Sequence, residues 1–242
     1  PQFKNTYLNH HTMFEKSVRI TLILTYIVII AGAVVRMTGS GMGCPDWPKC
    51  FGYYIPPTSE EQMNWHPNQE FHKGQIIIID ESLWVAKDKF TSGDEMDMSY
   101  FDQYTKHDYA EFNPVHTWVE YINRLAGAVA GIAVFIMAVL SLGHWRKSKS
   151  LVLLSWLAVF LMGFQAWLGA TVVYSVLAPV RITVHMVMAL VIVALLLYIL
   201  HKLKSKDQKP VENKTLKNLM IIAVCLTLIQ VVLGTQVREF ID

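Results

Sequence analysis

Five apolar runs, each near the roughly 20 residues that a helix needs to cross about 30 Å of hydrocarbon, constrain this chain more than any other feature. They lie at about Ile20–Val35, Trp118–Leu142, Leu151–Val173, Ile182–Leu200 and Leu219–Leu233. A composition of 53% hydrophobic and only 17% charged residues fits this, because the charges clump between the runs. The reading is an all-α polytopic membrane protein: a four-helix transmembrane bundle plus a fifth transmembrane helix, with a long outer loop between the first two. The net charge of +2 is too small and too dispersed for a nucleic-acid partner.

Orientation follows from the basic residues, since Lys- and Arg-rich loops stay cytoplasmic. Lys4, Lys16 and Arg19 precede the first run; Arg146, Lys147 and Lys149 join the second to the third; Lys202 to Lys217 join the fourth to the fifth. The segment from Glu60 to Glu111 is acidic. The N-terminus is therefore expected in the cytoplasm and residues 37–116 outside. The first run shows no cleavage site and is read as a helix that stays. The expected division is a solvated or interfacial cytoplasmic leader over 1–19, a four-helix half over 20–205, and a linker with the first helix of a second half over 206–242. A start at Pro1 and an end just past a span are expected of part of a longer protein.

Past the first run comes Arg36-Met37-Thr38-Gly39-Ser40-Gly41-Met42-Gly43-Cys44-Pro45-Asp46-Trp47-Pro48-Lys49-Cys50. Its glycines admit unusual backbone angles, its prolines fix φ, and its cysteines lie close enough to close a small ring. In an oxidising compartment they are expected to pair, as a structural staple or as a redox pair. Cys225, inside an apolar run, reads as a small buried hydrophobe. Within 53–115, Gln75–Asp80 reads as a short strand and Thr91 to Asp108 as irregular; His66, His72 and His107 are too scattered to be read as a metal site.

The remaining chemistry sits at the outer ends of the spans. Arg36, Arg181 and Arg238 each lie at a helix end, where guanidinium groups seek anions: local carboxylates, lipid phosphate, or a ligand with carboxylate arms. His116, Glu120 and Asn123 or Arg124 follow at helical spacing and share a face. An ionisable Glu120 about one turn below the surface is a functional candidate; the alternative is a structural i, i+4 pair with Arg124. His185, one turn below Arg181, is deep enough to face an interior cofactor, so a haem or proton role outweighs packing. Gln165 reads as a packing residue. Gly-x-x-Val-Arg occurs at Gly32–Arg36 and again at Gly234–Arg238, as parallel repeats of a four-helix unit would place it.

These residues resemble the heme A synthase family. The resemblance rests on Val35–Gly41 running into Cys44-Pro45-Asp46-Trp47-Pro48-Lys49-Cys50, on Glu120-Tyr121 with Arg124, on His185, and on Leu233–Glu239. It implies an oxidoreductase of two four-helix halves in the bacterial inner membrane, oxidising the C8 methyl of haem O to a formyl group for cytochrome c oxidase. Haem O would be substrate in this half, and haem b cofactor in the other half. By the same resemblance Glu120 is the essential carboxylate, Cys44 and Cys50 the outer pair, and His185 the iron ligand, with Arg36, Arg124, Arg181 and Asn123 around the propionates or pocket. The family pattern Glu-x-x-His-Arg has Asn123 in place of His here, which leaves His116 as the alternative ligand. Implied partners are haem, membrane lipid, haem O synthase and cytochrome oxidase assembly proteins, and residues 1–242 alone are expected to be inactive. Two other readings compete: a non-catalytic haem-binding assembly factor, and a quinone-linked thiol oxidoreductase. The second needs another cysteine pair that Cys225 alone does not supply.

Overall fold

In the computed structural model, which describes residues 2–204 and 213–239, the apolar runs form α1 (Gln2–Met37), α2 (Pro114–Ser141), α3 (Lys149–Tyr174), α4 (Pro179–Lys204) and α5 (Lys214–Glu239). Each carries a stretch long and apolar enough to cross a membrane. The protein is thus a mostly helical, multi-pass membrane protein. Local chemistry sets the helix ends. Asn113 Oδ1 accepts from the amides of Val115 (2.9 Å) and His116 (3.2 Å), and Pro114 opens α2 without an amide of its own to satisfy. After α3, Val176 and Leu177 take positive φ, and the Leu177 amide bonds back to Val172 O before Pro179 starts α4.

The chain divides into two compact units. One comprises the described residues of 1–29, 126–168 and 179–242. Its core joins Phe14, Val18, Val134, Met137, Leu151, Ala158, Ile192, Leu196 and Ile199. Phe14 and Val18 correct the expectation of a solvated or interfacial leader: both are fully buried, because α1 starts at Gln2 and puts these i, i+4 residues on one packed face. In the same unit α4 packs on α5, where the Thr183 and Thr235 hydroxyls meet at 2.5 Å. Cys225 departs from its expected burial. It is exposed among the described residues, on a helix whose apolar side chains are mostly uncovered. The expected linker over 206–212 lies outside the described residues.

The other unit comprises residues 30–125 and 169–178 and contains five short strands: β1 (Glu70–Phe71), β2 (Ile76–Ile79), β3 (Ser82–Ala86), β4 (Phe90–Thr91) and β5 (Phe101–Gln103). β1 pairs with β4, and β2-β3-β5 form an antiparallel sheet. The strand expected at Gln75–Asp80 is present as β2. It returns through a two-residue turn, Asp80-Glu81, both at positive φ. Successive side chains of β2 point to opposite faces, so its isoleucines serve two cores. Ile76 and Ile78 pack with Cys44, Cys50, Phe51, Met63 and Leu83, whereas Ile77 and Ile79 pack with Phe71, Ala86 and Phe101. The stretch expected to be irregular, Thr91 to Asp108, holds a 3-10 turn at Met98–Tyr100 and then β5, which pairs with β3.

Candidate functional site

The loop from Gly39 to Gly52 is held by side chains from elsewhere in its unit, and that clamp builds the site. Gly39 turns the chain at φ 69°, and Gly43 brings it against α2. A Cβ on Gly43 would stand 2.4 Å from His116 O, so no other residue allows this approach without a shift of backbone. Cys44 and Cys50 form the expected disulfide. At the far end Gly52 takes φ 80° with its α-carbon against Gly74 and Gln75.

Thr117, Glu120 and Arg124 follow at intervals of three and four on α2, one face, and all three reach the loop. Thr117 Oγ1 donates to Gly43 O (2.7 Å). The Cys44 amide donates to Glu120 Oε2 at 2.8 Å, while Arg124 Nη2 donates to Glu120 Oε1 at 2.5 Å. Arg124 also gives Nη1 to the carbonyls of Asp46 (2.7 Å) and Lys49 (2.8 Å) and Nη2 to Cys44 O (3.4 Å). More distant residues complete the clamp. Tyr104 and His107 both donate to Pro45 O at 2.8 Å, and the Tyr174 hydroxyl donates to Trp47 O at 2.9 Å. The loop's carbonyls therefore find partners in side chains rather than in a regular element.

The ion pair is dry: the Glu120 side chain is 5% exposed and that of Arg124 13%. The disulfide is buried with it, Cys44 at 0% and Cys50 at 1% exposure. Between the cysteines, Asp46 accepts the Gly52 amide at 3.0 Å through Oδ2, while its buried Oδ1 has no hydrogen-bond partner. Burial raises the Asp46 carboxyl above the ordinary aspartate range, against the opposing pull of the Gly52 amide and the Arg124 charge. Burial, with Asp46 as second cause, likewise raises the Tyr104 phenol.

The other predicted residues sort by unit. Arg36 lies in the last turn of α1, and Asn123 beside Gly32, its Oδ1 buried without a hydrogen-bond partner. His116 lines a cavity of about 410 Å³ with Gly39, Met42, Gly43, Glu60 and Asn113. Arg181 and His185 belong to the unit of 126–168 and 179–242. Arg181 is exposed in the first turn of α4. His185 Nδ1 is buried without a hydrogen-bond partner, and Gln165 Nε2 donates to His185 O at 2.9 Å and lies 3.5 Å from His185 Nε2. The Gln165 bond joins α3 to α4, the interhelical role expected of an intramembrane amide. Among the described residues no group of three His, Cys, Asp or Glu side chains suits a bare metal ion. An iron already held by a porphyrin asks the protein only for axial ligands, which a single buried imidazole such as His185 fits.

Five apolar helices with a buried carboxylate–guanidinium pair clamped under a disulfide loop define a class: multi-pass membrane proteins with a polar site at a helix end. The model of the COX15-CtaA family, described as cytochrome oxidase assembly proteins, matches residues 16–92 and 94–241, and the chain belongs to this family. It is 26% identical over 220 residues to a heme A synthase of Shewanella oneidensis, covering 89% of this chain and 54% of that protein. A heme A synthase of Bartonella tribocorum is 25% identical over 224 residues, 89% of this chain and 55% of its own length. Over a shorter stretch of 70 residues, 28% of this chain, a heme A synthase of Bacillus licheniformis is 36% identical. The chain spans about half the length of the first two.

Proposed function

We propose that this chain is the substrate-holding half of a heme A synthase-like oxidoreductase that converts the C8 methyl of haem O to a formyl group for cytochrome c oxidase. The observation that carries this reading is the dry Glu120–Arg124 pair locked to the backbone of the Cys44–Cys50 loop, in a chain of this family. Turning a methyl into a formyl group takes one oxygen atom from water and releases hydrogen from both as protons and electrons, so a fixed proton acceptor is required near the reacting carbon. Glu120 has the chemistry for that role, and the Cys44 amide and Arg124 hold its two oxygens in one orientation.

Arg124 spends its donors on Glu120 and three loop carbonyls. In this reading it positions the carboxylate, and Arg36 of its own unit and Arg181 of the other are candidate partners for haem propionates. His185, with Gln165 beside it, would hold the substrate iron through its imidazole, and Asn123 and His116 are the other candidate ligands. Haem b, when bound in the second half, supplies an electron acceptor. The membrane is the bacterial inner membrane, with the disulfide loop on the periplasmic side.

The test is Glu120→Gln in the full-length protein, with extracted haem identified by mass. Haem O is expected to remain bound and unconverted, with haem A lost. Haem A at the wild-type level would sink the role of Glu120. Wild-type protein that leaves haem O unchanged would make the chain a haem-binding assembly factor instead.

A further inference from the structure

The disulfide loop and the turn after it present side chains that the clamp does not use. Trp47 is 36% exposed, Tyr54 78% and Ile55 70%. Lys49 Nζ stands 4.9 Å from the centre of the Tyr54 ring, and Cys50 pairs with Tyr53 across a tight turn. Lys49 and Tyr54 therefore leave the same small knuckle.

Two hydrogen bonds tie this knuckle to the ends of apolar stretches on two helices. Lys49 O is bound by Arg124, after which α2 continues from Leu125 to Leu142 without a charged residue. Hydrocarbon therefore begins near Arg124. Trp47 O is bound by Tyr174, the last residue of α3, and Lys106 Nζ stands 4.6 Å from the centre of the Tyr174 ring. Both bonds place the loop at the edge of the apolar zone, one on each of two helices. The types of its exposed side chains suit that edge, since Trp and Tyr concentrate where ring bodies contact acyl chains and polar edges contact headgroups.

We propose that Trp47, Tyr54 and Ile55 form an interfacial anchor in the headgroup–acyl boundary of the leaflet beside the loop, with Lys49 and Lys106 facing lipid phosphate. Lys side chains near an anionic surface add favourable charge interaction there. The anchor fastens the same backbone that holds Glu120, so lipid contact steadies the clamp. It rests on the membrane reading of the helices and not on the reaction.

The full-length protein, reconstituted in vesicles of phosphatidylcholine and phosphatidylglycerol, tests this by fluorescence. Ile55→Trp adds a reporter at an exposed position that burdens no core, and Trp47→Phe subtracted from wild type isolates the native ring. Both emissions are expected to be blue-shifted and quenched more by lipid brominated near the headgroup than by lipid brominated near the chain end. Emission that aqueous iodide quenches and brominated lipid does not would overturn the anchor. Emission that neither quencher reaches would also overturn it, by showing that protein covers the knuckle.

Discussion

At the residue scale Arg124 matters more to the architecture than Glu120 does, although Glu120 is the residue to which we assign the chemistry. Replacing Arg124 by Met leaves a buried carboxylate with one remaining amide donor and strips the carbonyls of Asp46 and Lys49 of their partner. Breaking a buried pair from one side costs about 3–5 kcal/mol. Glu120→Gln keeps an acceptor for the Cys44 amide and leaves Arg124 on its carbonyls, so its cost should be nearer 1–3 kcal/mol. Thermal unfolding in detergent should therefore rank Arg124→Met as the less stable variant. The double variant should lose less than the sum of the two, since the groups share one network. The opposite ranking would mean that the loop does not lean on Arg124.

At the scale of the element, the Cys44–Cys50 loop contains its own titratable group. Burial raises Asp46 in the folded protein, so between its ordinary and its raised pKa the folded state holds a proton that the unfolded chain releases. The contribution to stability is complete below the ordinary aspartate range and is lost as pH rises through the raised value. Asp46→Asn keeps an oxygen for the Gly52 amide and removes the titration. Its melting temperature, measured against pH from the acid side upward, should fall less than that of wild type over this window. Equal slopes would show that Asp46 does not titrate there. The spans and the ring-closing cysteines were legible in the sequence, and the Glu120–Arg124 pair was one of its two readings of Glu120, because apolar length, short spacing and i, i+4 periodicity are local signals. The clamp was not. Its donors Tyr104, His107 and Tyr174 lie far along the chain from the carbonyls they bind. An acceptor on the backbone leaves no mark in residue type. Strands β3 and β5 were hidden for a similar reason, since a strand gains its meaning from a partner elsewhere. The burial of Phe14 and Val18 was masked by the polar residues around them.

At the scale of the whole molecule, two independent physical arguments bear on which face of the membrane the disulfide loop occupies. Five helices alternate in direction, so the N-terminus, the α2–α3 connection and the α4–α5 connection share one side. That side collects Arg146, Lys147 and Lys149, then Lys202, Lys204, Lys214 and Lys217, the pattern of a cytoplasmic face. Arg36 and Arg181 run against it, each at an opposite helix end. A disulfide persists where the medium is oxidising, which suits the proposed placement of Cys44–Cys50 outside. Charge and redox chemistry thus support the same proposed orientation without sharing an assumption. In a Cys225→Ser background, Glu95→Cys should react with a membrane-impermeant maleimide in intact cells. Arg146→Cys should react only once the membrane is opened. Both positions are exposed in the fold, so accessibility to the reagent depends on the side of the membrane. The reversed pattern would put the buried disulfide in a reducing cytoplasm. The charge rule would then fail on every connection at once.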